Sequence, residues 1–121
     1  MANLFLIEDD QTMRSLLKTL LEMEGHAVAV SSGDANSPTL EDFSKHNPAI
    51  VILDVHLNHG DSFDLLSKMR QISADVKILM TSGQDVRAKC IKAGANGFLL
   101  KPYMPDELLN WIKQNLPGTT P

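Results

Sequence analysis

Short apolar runs alternate along this chain with longer stretches in which apolar residues recur every three or four positions. Leu4-Phe5-Leu6-Ile7 is a continuous apolar run, the pattern of a strand buried on both faces. From Gln11 to Glu24, residues Met13, Leu16, Leu17, Leu20 and Leu21 recur at helical spacing, and Gly25 ends the element. Ala27 to Val30 reads as a second strand, followed by loop chemistry from Ser31 to Ser37. Ser37 before Pro38 reads as an N-cap with proline in the first turn, so Thr39 to about Lys45 forms a brief second helix. Ile50-Val51-Ile52-Leu53, the strongest β-branched run, is the central strand and ends at Asp54. Leu57 to Ser62 is an irregular polar loop, and Phe63, Leu65, Leu66, Met69 and Ile72 mark a third helix. Val76 to Thr81 is the fourth strand, Asp85 to Ala93 the fourth helix and Gly97 to Leu100 the fifth strand. Pro105 to about Leu116 is the fifth helix, with Leu108, Leu109, Ile112 and Leu116 on its buried face.

Five strands each followed by a helix imply an α/β protein with a parallel sheet covered on both sides by right-handed crossovers. At 121 residues one domain over positions 1–116 is expected, with 117–121 as a linker or frayed tail. The composition, 43% hydrophobic and 21% charged, is that of a globular protein with a real core. A net charge of -4 leaves no basic excess for nucleic acid or an anionic membrane. Cys90 is the only cysteine, so no internal disulfide can form; it reads as a packed thiol in a helix. The N-terminus has neither a signal-peptide nor a membrane-span pattern, and a cytoplasmic location is expected.

In open parallel sheets, sites form at the carboxyl ends of the strands where the strand order reverses. Glu8, Asp9 and Asp10 follow strand one and Asp54 ends strand three, so carboxylates converge from two strands. Packing such anions together is costly unless a cation or protons offset them, and hard oxygen ligands point to magnesium, with manganese as a substitute. The plainer alternative for Glu8-Asp9-Asp10 is an acidic helix N-terminus favoured by the dipole. Strand four brings Thr81-Ser82-Gly83 and strand five Lys101-Pro102 to the same edge.

In the order, spacing and type of these residues the chain resembles the response-regulator receiver family, the CheY-like domains, to about residue 116. The resemblance implies a flavodoxin-like (βα)5 sandwich with strand order 2-1-3-4-5. It makes Asp54 the phosphoacceptor, Glu8 and Asp9 the acidic pair, Lys101 the lysine before a cis proline bond, and Phe98 the switch aromatic that moves inward. Ser82 is taken as the switch hydroxyl, with Thr81 as its rival, because the family places a small residue directly after it and Gly83 fits. Asp9, Asp54 and the His56 backbone carbonyl would hold the metal, with Glu8 acting through water. His56 and Gln84, two residues beyond Asp54 and Ser82, fall at positions that set the lifetime of the phosphoryl group.

The implied partners are a sensor histidine kinase or phosphotransfer protein and an output domain or effector. The effector would meet the face formed by the fourth helix, fifth strand and fifth helix, and phosphorylation could link two copies there. Such a protein is a switch that catalyses only its own phosphorylation and dephosphorylation. Two positions depart from the family: Asn58 and Ser62 stand where proline and glycine are common, and the loop after Ser82 is short. A haloacid-dehalogenase-like phosphatase would need a second acid where this chain has His56. A flavodoxin-type cofactor site would need a phosphate loop where Glu8-Asp9-Asp10 stands. A receiver-like docking module that works without phosphorylation is the remaining alternative.

Overall fold

A computed structural model describes residues 2–34, 38–58 and 60–116. The expected Ser37 cap and the 117–121 tail lie outside the described residues. The elements are β1 (Asn3–Ile7), α1 (Gln11–Met23), β2 (Ala27–Ser31), α2 (Thr39–His46), β3 (Ile50–Asp54), β4 (His56–Leu57), β5 (Gly60–Asp61), α3 (Phe63–Ile72), β6 (Lys77–Ser82), α4 (Arg87–Ala93), β7 (Gly97–Leu100) and α5 (Pro105–Asn115). Five parallel strands form one sheet in the order β2-β1-β3-β6-β7, while β4 and β5 make a separate antiparallel hairpin. Leaving out that hairpin, the order is the expected 2-1-3-4-5.

Side-chain alternation divides the core into two layers. Phe5, Ile7, Val51, Leu53, Ile78 and Met80 pack on one side with Leu66 and Met69 of α3 and Cys90 of α4. Leu4, Leu6, Ile50, Ile52 and Leu79 pack on the other with Leu17 and Leu21 of α1 and Leu108 and Ile112 of α5. With helices on both faces, the β3 segment is buried throughout, as its unbroken apolar run requires. No helix among the described residues is long and apolar enough to cross a membrane.

The boundaries differ from expectation in three informative places. The loop after Asp54 is not irregular: His56 and Leu57 pair with Asp61 and Gly60, and buried Leu57 lies against Gly33 and Ile7. Helix α4 begins at Arg87 instead of Asp85, because Asp85 turns its carboxylate back to accept the Arg87 amide. Helical spacing also overstates burial, since Met13, Leu16 and Ile72 are largely exposed. The start of α5 is closed by Glu107, whose carboxylate accepts the Met104 amide at 2.9 Å.

Candidate functional site

The parallel register fixes which strand-end residues share a face. Asp54 lies opposite Thr81, continuing the rows that place Ile52 opposite Leu79. Paired residues of neighbouring strands project to the same side, so Asp54 and Thr81 sit on the α1 and α5 side of the sheet. Glu8 follows Leu4 and Leu6 in the same alternation, and Lys101 follows Leu99. The four strand ends therefore deliver Glu8, Asp54, Thr81 and Lys101 to one edge.

Contacts bear this out for Glu8, Asp54 and Lys101. The Lys101 ammonium donates to Asp54 Oδ2 at 3.1 Å and to Glu8 Oε1 at 3.2 Å, forming two ion pairs. Asp54 is only 7% exposed and Glu8 3%. The other carboxylate oxygen of Asp54 accepts the His56 backbone amide at 3.2 Å. Burial pulls the Lys101 ammonium down, but hydrogen bonding and charge from Asp54 and Glu8 outweigh it and hold the group above its ordinary value. The Lys101-Pro102 peptide bond is cis, as the resemblance implies.

The acidic triplet divides its work. Asp10 is the N-cap of α1, its carboxylate accepting the Met13 amide at 3.1 Å. Glu8 and Asp9 stay with Asp54, each offering an oxygen within 4.8 Å of the others. Burial, a hydrogen bond with Glu8 and the Glu8 charge push the Asp9 carboxyl up. Three carboxylates with one ammonium leave two formal negative charges uncompensated. The oxygen-only donor set and that residual charge fit one hard divalent cation.

Two hydroxyls stand at the end of β6. Ser82 is buried, its register placing it opposite Leu100 on the side of Met80 and Phe98, and its hydroxyl accepts the Gln84 amide at 3.0 Å. Thr81, its rival, is paired with Asp54. His56 and Gln84 are both exposed, two residues beyond Asp54 and Ser82. Phe98, expected to move inward, is already packed in the core at 3% exposure, with the Arg87 guanidinium 5.6 Å from its ring centre.

Two participants escaped the sequence reading. The Arg14 guanidinium donates to the Glu8 carbonyl at 2.6 Å, one turn into α1, where only a surface arginine is legible. Ser62 is 1% exposed and donates from its hydroxyl to the Asp54 carbonyl at 2.7 Å.

Residues 4–113 match the family model of the response regulator receiver domain, and the chain belongs to that family. It is 32% identical over 120 residues to the chemotaxis protein CheY of Bacillus subtilis, covering 96% of this chain and 99% of that protein. The transcriptional regulatory protein DegU of Brevibacillus brevis is 29% identical over 111 residues, covering 89% of this chain, which spans 47% of DegU. Among solved structures, the chemotaxis protein CheY4 of Vibrio cholerae superposes with a TM-score of 0.85 at 25% identity, covering 96% of this chain and 99% of that one.

A carboxyl raised on folding makes the folded state the better proton binder, so Asp9 lowers stability as pH rises through the acid range. At neutral pH and without divalent cation, Asp9→Asn should resist denaturant better than wild type, by at most about 1 kcal/mol after solvent screening of this partly exposed group. Millimolar magnesium should reverse the order, because a ligand of the folded state raises its stability. Denaturant midpoints that keep the same order with and without magnesium would argue against a metal site.

Proposed function

We propose that this receiver domain is a switch operated by phosphorylation of Asp54. The observation that carries the reading is a buried carboxylate held between the Lys101 ammonium and the His56 amide, beside two further acids. The Asp54 carboxylate attacks the phosphorus of a phosphohistidine on a sensor histidine kinase or phosphotransfer protein. The phosphorus–nitrogen bond breaks as the phosphorus–oxygen bond forms, and the electron pair leaves with the imidazole. Asp9, Asp54 and the His56 carbonyl would hold magnesium, with Glu8 acting through water. Bound there, the ion supplies positive charge for the transferring phosphoryl oxygens. Lys101 supplies a second positive charge from the protein, preorganised by its two ion pairs.

Ser82 reads the product. It is buried at the end of β6, the strand that leads into α4. Drawing its hydroxyl toward a phosphoryl oxygen would pull on the loop before α4 and so alter the α4–β7–α5 face. Ile91 and Leu100 are each about half exposed on α4 and β7, which gives an output partner, or a second copy, apolar surface to cover. Phe98, packed on the same side of the sheet as Ser82, is the switch aromatic that would follow it. The protein catalyses only its own phosphorylation and dephosphorylation, and we place it in the cytoplasm with its kinase.

Incubation with acetyl phosphate and magnesium should add one phosphoryl group by intact mass measurement. Asp54→Asn or excess chelator should abolish the adduct. Labelling that survives in either case would overturn the assignment, and no labelling of the wild type would favour the docking-module alternative.

Phosphorylated Ser82→Ala should lose the partner-binding or dimerisation response measured by sedimentation, whereas Thr81→Ala should retain it. The opposite ranking would make Thr81 the switch hydroxyl.

His56 stands at the mouth of the cleft, where its side chain can admit or obstruct the water that attacks the acyl phosphate. His56→Ala should change the phosphoryl half-life by roughly tenfold, equivalent to about 1.4 kcal/mol in the barrier. Gln84→Ala should shift it by a similar factor. Equal half-lives for wild type and His56→Ala would remove His56 from this role.

A further inference from the structure

Ser62 stands at the start of α3, immediately after the β4–β5 hairpin that carries His56. A serine in that position ordinarily turns its oxygen toward the amides of the first helical turn. Here the side chain makes no such bond. It points back instead and donates to the main-chain carbonyl of Asp54 at 2.7 Å, while the Ser62 amide donates to the Val55 carbonyl at 2.9 Å. Pairing of β3 with β1 ends at Leu53, so the Asp54 carbonyl lies past the end of that ladder. A buried carbonyl left without a donor is costly, and the Ser62 hydroxyl, itself 1% exposed, supplies one.

With this bond every oxygen of Asp54 has a partner: Ser62 on the carbonyl, His56 on one carboxylate oxygen and Lys101 on the other. Ser62 also closes the base of the hairpin that carries His56, the residue whose carbonyl would complete the proposed metal site. The family commonly has glycine here, and glycine has no hydroxyl to make such a bond.

We propose that Ser62 is a positioning residue, its buried hydroxyl fixing the Asp54 main chain and the hairpin so that the carboxylate and the His56 carbonyl present a ready metal site. This rests on the phosphoacceptor reading above. It acts through Asp54 and touches neither metal nor phosphoryl group. Outer partners that orient metal ligands contribute substantially to affinity.

Magnesium titrated calorimetrically into the full chain tests it without any phosphoryl transfer. Ser62→Ala and Ser62→Gly should each bind magnesium about tenfold more weakly than wild type. Ser62→Thr, which keeps the hydroxyl, should stay within about twofold. As a control for general loosening, Met69→Ala, two turns along α3 in the core, should lower the unfolding midpoint and leave magnesium affinity unchanged. Wild-type affinity in either folded loss variant would overturn the proposal, as would a folded Ser62→Thr that binds as weakly as Ser62→Ala. A wild-type chain that binds no magnesium would instead defeat the metal reading on which the inference stands. A loss in Met69→Ala equal to that in Ser62→Ala would reduce Ser62 to a packing role.

Discussion

Like-charge repulsion at the carboxyl edge of the sheet is the constraint around which the rest is arranged. Carboxylate oxygens within 4.8 Å of one another repel by about 3 kcal/mol or more at an effective dielectric of about 20. Lys101, at 3.1 and 3.2 Å from Asp54 and Glu8, recovers more than that for those two groups. Asp9 feels Lys101 least, and burial, with the hydrogen bond and charge of Glu8, pushes its carboxyl up. The edge is thus electrostatically incomplete in the protein alone, and the same deficit of two positive charges makes it receptive to a divalent cation. Two apolar layers, one on each side of the sheet, hold the strand ends together against this repulsion.

The alternation of the strands then decides which side of the sheet each residue of that edge takes. One side receives Glu8, Asp54, Thr81 and Lys101, while the other receives Ser82 and Phe98. A shift of one residue in β6 would exchange Thr81 and Ser82 completely. The room that Gly83 offers beside Ser82 is a local property of the sequence. The register between β3 and β6 is a non-local fact set by the pairing of Ile52 with Leu79 and Leu53 with Met80, and together with the pairing of Met80 with Phe98 it puts Ser82 and Phe98 on one side.

Most of the fold was legible because its strands are buried on both faces and therefore appear as apolar runs in the sequence, Ile50 to Leu53 above all. Asp54, Glu8, Asp9 and Lys101 were legible because ionisable side chains at the ends of such runs must meet at the sheet edge. The β4–β5 hairpin was not, since strands of two residues carry no periodicity; only the burial of Leu57 against Gly33 reveals why the loop folds back. Ser62 and Arg14 were illegible for a related reason. Both act through backbone carbonyls, and a main-chain acceptor leaves no trace in the sequence of its donor. Exposure of Met13 and Leu16 shows the opposite error, in which helical spacing predicted more contact than the neighbouring elements provide.

The distribution of restraints also bears on how a change at Asp54 can spread. Its carbonyl and both carboxylate oxygens are held, and the following hairpin is closed by Ser62 and anchored by Leu57. Displacement toward β4 and β5 would have to break several of these bonds together. On the other side, the segment from Gly83 to Asp85 is exposed, and α4 starts only at Arg87. Added bulk and charge on Asp54 would therefore meet stiff resistance from the hairpin and less from the end of β6. Under the proposed function that asymmetry would direct the response toward α4, the rigidity of one loop being part of what allows the other to move.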